Sequence, residues 1–104
     1  MRKEISHWEE MAFLLIGTIA NKNSYFSRSK LMTPKNLNIA IIILRKLGHK
    51  ENPEHPEETL QRTIQNLRDK GYIEFLGRGE YRLTEKGILK KQEIFDKVAE
   101  KISG

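Results

Sequence analysis

Apolar residues recur with helical spacing in four segments of the chain. Ser6 and Glu9 have the spacing of a capping box, in which each residue bonds the other's backbone N–H, and they predict a first helix over 7–19. A second helix is expected over 33–47. There a threonine followed by a proline forms the start of the helix, and Gly48 is placed to end it.

The third and fourth helical segments flank a pair of short extended runs. Residues 57–70 predict a helix with an apolar stripe on one side and long polar side chains on the other. The stripe consists of Leu60, Ile64 and Leu67. A last helix is expected over 85–102, after a capping Thr84. Its apolar residues are Ile88, Phe95, Val98, Ala99 and Ile102.

Three short segments have the composition of strands. Residues 25–27 predict one strand, and residues 72–84 predict a β-hairpin whose glycine-flanked tip exposes Arg78. The order is therefore helix, strand, helix, helix, hairpin, helix. It is typical of a mainly α (α+β) winged helix-turn-helix fold, here a single domain over 1–104. The segment 57–70 would be the recognition helix, 72–84 the wing and 85–102 a C-terminal helix able to support dimerisation.

The distribution of charge adds a candidate partner. The chain has 104 residues, a net charge of +5 and no cysteine. The lack of cysteine excludes a disulfide framework and thiolate metal sites and fits a reducing, cytoplasmic location. Residues 22–50 carry seven basic and no acidic side chains (7 − 0 = +7), whereas 57–87 carry six of each (6 − 6 = 0). A basic surface favours polyanions such as DNA. The apolar run 11–16 is too short to span a bilayer, so no membrane association is expected.

Two stretches resemble known families. The string from Leu67 to Leu83, LRDKGYIEFLGRGEYRL, resembles the C-terminal winged-helix module of the Dam-replacing and related methylation-dependent restriction endonucleases. Thr84-Glu85-Lys86-Gly87 is similar to the wing exit of PadR- and MarR-type regulators, where a dimerising helix often follows. The first resemblance implies a DNA-binding module. In those enzymes a nuclease domain precedes the module. Because this chain starts at Met1 without room for such a domain, we expect it to bind DNA and not to cleave it.

The polar side of the third helix and the tip of the hairpin supply the candidate contacts to double-stranded DNA. Arginine and glutamine pair with the edges of guanine and adenine, whereas basic side chains near the groove neutralise phosphates. The predicted base-reading residues are Thr59, Gln61, Arg62 and Gln65. The predicted backbone and wing contacts are Arg28, Lys30, Lys35, Arg68, Arg78 and Arg82. The alternatives are a merely solvated helix face, and for Arg82 an ion pair with a cross-strand acid.

The first two helices are apolar on nearly all sides, and such helices must be buried on all sides. A chain of this length has few other elements with which to cover both helices, so we expect them to be covered by a second copy in a two-fold homodimer. The alternative is that the C-terminal helix covers both within one monomer. The predicted interface residues are Trp8, Phe13, Leu15, Ile39, Ile42, Ile43, Phe95, Val98 and Ile102.

The sequence contains no recognisable catalytic or cofactor-binding motif that would indicate an enzyme. His7, His49 and His55 lack metal-ligand spacing, and no phosphate loop, nucleophile elbow or carboxylate pair is recognisable, so no catalytic residue, metal or cofactor is expected. The sequence thus predicts a sequence-specific DNA-binding transcriptional regulator. It leaves open a DNA-targeting accessory of a restriction–modification or mobile-element system, and a protein-interaction winged helix. The target sequence, the direction of regulation and any small-molecule effector stay undetermined.

Overall fold

A computed structural model describes residues 5–50 and 54–103 of the chain. The elements follow the predicted order, with one short helix added. They are α1 (His7–Ile19), β1 (Tyr25–Ser27), α2 (Arg28–Leu31), α3 (Pro34–Lys46), α4 (Pro56–Asp69), β2 (Ile73–Gly77), β3 (Glu80–Leu83) and α5 (Glu85–Ser103). The fold is a winged helix-turn-helix. No helix within the described residues has the length and apolar character needed to cross a membrane.

The predicted helix ends are confirmed at the level of hydrogen bonds. The Ser6 hydroxyl accepts from the Glu9 N–H at 3.2 Å, and a Glu9 carboxylate oxygen accepts from the Ser6 N–H at 3.1 Å. The Thr33 hydroxyl caps α3 by accepting from the Asn36 N–H at 3.2 Å, and Gly48 follows α3 with a positive φ of 98° that glycine adopts without strain. The sequence did not predict α2. Its four residues are too few to show a hydrophobic period, and its only sequence signal is the capping hydroxyl of Ser27.

Helix α1 is the centre of the core. Helices α2, α3, α4 and α5 of the same chain pack around it, so its apolar sides are covered without a second copy of the protein. Phe13 and Leu15 are fully buried there, and their predicted placement at a dimer interface is wrong. The hydrophobic pattern requires burial on all sides, but it does not say whether the covering helices belong to one chain or to two.

The face of α3 also differs from the expected one. Ile39 and Ile43 were expected to point away from the core towards a partner, yet both are half-buried against the core. Ile42 between them is 54% exposed. Among the described side chains of α5, Ile94 is the buried apolar one and was not predicted from the sequence, whereas the predicted interface residue Phe95 is exposed. Ile102 belongs to α5, and its side chain lies outside the described residues.

The sheet joins the wing to the helical core. Its strands are antiparallel in the order β1-β3-β2, and Tyr81 on the central strand faces Phe26 on one side and Phe75 on the other. The Phe26 and Tyr81 rings stack with centroids 5.5 Å apart. At the base of the hairpin, the Thr84 hydroxyl donates to the Gly71 carbonyl at 2.6 Å. The hairpin is thereby fixed against the end of α4.

Two buried carboxylates hold α1 to the elements around it. The Glu9 carboxylate accepts from the Lys70 ammonium at 2.7 Å, just beyond the end of α4. The Glu10 carboxylate lies 3.2 Å from the Lys97 ammonium on α5. A buried carboxylate is tolerated when it has such a partner. Sequence reasoning missed both pairs because the partners are 61 and 87 residues apart in the chain.

Candidate nucleic-acid interface

Helix α4 has one side in the core and the opposite side in solvent. Its predicted apolar stripe is fully buried, and Thr63 joins it. On the other side Gln61, Arg62 and Gln65 are exposed. Within the described part of the chain these three side chains form no hydrogen bond or ion pair, so their donors and acceptors point to solvent. Amide and guanidinium groups in this state are available to hydrogen-bond a ligand.

Thr59 lies at the margin of this face. It is half-buried, and its hydroxyl donates to the His55 carbonyl at 3.1 Å, at the start of α4 where no side chain caps the helix. Its hydroxyl proton is therefore engaged within the helix, in contrast to the free groups of Gln61 and Arg62. Thr59 stays a predicted base-reading residue, with only its oxygen lone pairs left to accept a bond.

The wing ends in a two-residue turn of unusual composition. Gly77 pairs with Glu80, and Arg78 and Gly79 between them have φ of 51° and 75°. Positive φ at both central positions is the requirement of a type I′ turn, where asparagine and glycine are favoured. Arg78 therefore occupies a backbone conformation that suits it poorly, and its exposed side chain has no hydrogen bond or ion pair within the described residues.

A short basic group adjoins the wing tip. The Arg28 N–H donates to the Gly79 carbonyl at 2.8 Å, which places the start of α2 against the turn. The Asn36 side chain donates to the Lys30 carbonyl at 2.7 Å and holds α2 to the first turn of α3, where Lys35 lies. The predicted phosphate contacts Arg28, Lys30 and Lys35 are thus exposed on neighbouring elements beside the wing.

The +7 stretch does not form one patch. Arg45 and Lys46 lie at the far end of α3 from Lys35. At a rise of about 1.5 Å per residue, Arg45 and Lys46 lie about 15–17 Å from Lys35 along the helix axis. Only the group at the start of α3 lies beside the wing. This separation was not visible from the charge count alone.

The predicted contacts Arg82 and Arg68 have partners within the chain. The guanidinium of Arg82 forms a cross-strand ion pair with Glu74, which confirms the alternative raised for it from the sequence. A hydrogen bond with the Tyr25 side chain, and secondly the charge of Glu74, raise the pKa of Arg82 above its ordinary value. Arg68 lies over the Phe75 ring, 5.7 Å from its centroid. Both arginines therefore help to hold the wing against α4 and β1.

The histidines are apart from this surface. The rings of His7 and His49 meet edge to face with centroids 5.8 Å apart, beside Trp8. Among the described residues, no group of three or more His, Cys, Asp or Glu side chains is placed to hold a metal ion.

The match to a family model covers the structural unit just described. Residues 18–83, which include α3, α4 and the whole wing, match the model of the Dam-replacing HTH domain. The chain belongs to this family. Helix-turn-helix domains are DNA-binding units, and in them the second helix of the motif enters the major groove. In this Dam-replacing HTH domain α4 is the second helix of the α3–α4 pair, and it exposes Gln61, Arg62 and Gln65.

The Dam-replacing HTH match ends at Leu83, before Thr84 and α5. The similarity of the wing exit to PadR- and MarR-type regulators therefore stays a prediction. No curated protein and no solved structure gives a significant match to the chain.

Proposed function

We propose that this Dam-replacing HTH domain is a sequence-specific, double-stranded-DNA-binding transcriptional regulator. It acts in the cytoplasm, without catalytic activity. One observation carries the proposal: α4 packs against β2 and exposes Gln61, Arg62 and Gln65, while the wing ends in an exposed Arg78, and none of these four side chains has a partner among residues 5–50 and 54–103.

The chemistry of each group indicates its role. The Arg62 guanidinium has two parallel donors for O6 and N7 of guanine, and the amides of Gln61 and Gln65 match the donor and acceptor of adenine. Arg78 would enter the adjacent minor groove or bind a phosphate. Arg28, Lys30 and Lys35 would neutralise phosphates beside the wing, which explains how a neutral recognition helix can bind a polyanion.

The proposal includes a two-fold homodimer formed through α5. Ile88 and Phe95 lie seven residues apart, on the same side of this helix, and both are about 40% exposed. Trp8 and Val98 are half-buried near the core, and Ile42 on α3 is also exposed. A two-fold dimer would present two α4 helices to half-sites about one or two helical turns apart.

A second function uses the same surface. The family model is that of a Dam-replacing domain, which favours a DNA-targeting accessory of a restriction–modification system. A nuclease or methylase gene beside the coding sequence would favour the accessory over the regulator. DNA binding itself is common to both.

The test is a binding titration with the full chain. Genomic fragments are selected with the purified protein, and the enriched duplex is titrated at 50 and 200 mM salt, with the stoichiometry measured by sedimentation. If Arg28, Lys30, Lys35 and Arg78 each bind one phosphate in both chains of the dimer, the Kd should rise about 10⁴-fold over this range. Two chains should bind one palindromic duplex. Salt-independent or absent binding would instead support a protein-interaction winged helix.

The wing tip allows a prediction in which stability and binding change in opposite directions. Arg78→Asn places a residue that tolerates positive φ at the first position of the turn, so the free energy of unfolding should rise by about 0.5–1 kcal/mol. The same change removes the charge at the tip, and the DNA affinity should fall about ten-fold. Urea denaturation and a DNA titration measure the two quantities. Arg78→Lys, which keeps the charge, should retain most of the affinity, and an unchanged affinity of Arg78→Asn would contradict a role of Arg78 in binding.

A further inference from the structure

One acidic residue lies within the candidate base-reading surface. Glu58, Gln61, Arg62 and Gln65 together line a shallow depression on α4. Their spacing of i, i+3, i+4 and i+7 places them on the side of the helix opposite the buried stripe. Within the described residues Glu58 forms no ion pair or hydrogen bond, although Arg62 is one turn away. A free carboxylate therefore stands beside a free guanidinium.

The position of this carboxylate is unfavourable for non-specific DNA binding. Glu58 belongs to the first turn of α4, and the start of a recognition helix enters the major groove between two rows of phosphates. A negative charge there repels phosphates and weakens binding to every sequence. A carboxylate on such a surface is useful only where it meets a hydrogen-bond donor on the DNA.

We propose that Glu58 is a specificity-determining residue that reads cytosine next to the guanine read by Arg62. This inference rests on the proposed function. An ionised carboxylate has only acceptors, and in the major groove the hydrogen-bonding group of cytosine itself is the N4 amino donor, whereas adenine has the N7 acceptor beside its N6 donor on the same base. Guanine presents only acceptors, which match the donors of Arg62 and repel Glu58. Glu58 and Arg62 together therefore select a cytosine beside a guanine and disfavour other bases at these two positions.

A structural role for Glu58 is the alternative, and Glu57 provides the control for it. The two glutamates share the first turn of α4, where the backbone N–H groups attract carboxylates and no side chain caps the helix. Both are exposed. Glu57 lies about 100° around the helix from Glu58, one turn before Gln61 but away from the line of Arg62 and Gln65. Glu57→Gln and Glu58→Gln thus make the same change of charge at the same helix end, but only Glu58 lies one turn from Arg62.

The experiment is a selection from random duplexes with the full chain and the two variants, followed by titration of matched duplexes. The parent should enrich cytosine next to guanine in each half-site. Glu58→Gln should reduce the preference for that cytosine about ten-fold, whereas Glu57→Gln should keep it. Both variants should bind random duplexes somewhat more tightly than the parent, because each lacks one negative charge.

The outcomes separate this inference from the proposed function. If the parent selects a sequence and Glu58→Gln selects the same sequence with the same preference, the role of Glu58 is refuted while DNA binding stands. If the two variants lose the preference equally, Glu58 acts through the start of the helix and the inference is also refuted. A parent that binds no duplex, or binds all duplexes alike, refutes both this inference and the sequence-specific function.

Discussion

Replacing Gly87 with alanine is expected to lower the free energy of unfolding by about 3 kcal/mol. A Cβ at this position would lie 1.9 Å from the Tyr72 carbonyl oxygen and 2.9 Å from its carbon. That carbonyl is backbone, and it is held by the Thr84 N–H at 3.0 Å. It cannot rotate away as a side chain can, so the start of α5 would have to move off the base of the wing.

Urea denaturation of the two proteins measures this effect, and Gly17→Ala is the matched control. A Cβ at Gly17 would also be too close to its neighbour, at 2.7 Å, but that neighbour is the ring of Phe95. This ring is 39% exposed and can turn towards solvent, and alanine is the better helix former by about 1 kcal/mol. Gly17→Ala should therefore be close to neutral. Equal stability of the parent and Gly87→Ala would mean that α5 does not approach the Tyr72 carbonyl as described.

The second large effect is expected at Arg62. Arg62→Ala should lower the affinity for the preferred duplex about ten- to 100-fold, because one bidentate contact to guanine contributes about 1–3 kcal/mol of discrimination. Its affinity for unrelated duplexes should fall much less. Folding should be unaffected, since the side chain is exposed and has no partner within the described residues. Titrations of the preferred duplex and of one with the guanine replaced measure the loss of discrimination.

Lys35→Ala provides the contrast. Lys35 lies at the start of α3, and a phosphate contact there carries no sequence information. Its loss should weaken binding to all duplexes by a similar factor and lower the slope of affinity against salt by about one unit per chain, or about two for the dimer. If Arg62→Ala and Lys35→Ala behaved alike on both duplexes, the assignment of Arg62 to base reading would be wrong.

Local signals in the sequence were enough to predict most of the elements. Ser6 with Glu9, Thr33 before a proline, and the glycines around Arg78 act over a few residues, and the structure confirms the helix starts and the hairpin at these places. The winged helix-turn-helix fold follows from the order of these elements. Helix α2 was missed because a four-residue helix has no period to recognise.

The predictions that failed depend on contacts between distant parts of the chain. A pattern of apolar residues requires that Phe13 and Leu15 be buried, but only the packing of four helices around α1 shows that one chain suffices. Ile94 was also not predicted from the sequence, because the side of α5 that enters the core is set by its docking onto α1. Ile94 is therefore buried, while Phe95 covers Gly17 and stays partly exposed.

The candidate site was predictable in its composition but not in its internal pairing. The exposed side of α4 follows from helical geometry once the stripe of Leu60 and Ile64 is assigned to the core. Helical geometry does not show which basic side chains lack a partner within the chain. Arg82 and Arg68 look equivalent to Arg62 in the sequence, yet they contact Glu74 and Phe75. The close approach at Gly87 also requires coordinates, because it joins residues from two different elements.

The central claim is that α4 and the wing tip form the DNA-binding surface, and chemical-shift mapping tests it directly. The backbone amide signals of the full chain would be followed as the enriched duplex is added. The largest shifts should occur at Gln61, Arg62 and Gln65, and at Arg78 and Gly79 of the wing, with small shifts along the outer side of α5. Shifts concentrated on α5, with the exposed side of α4 and the wing tip unchanged, would contradict the account.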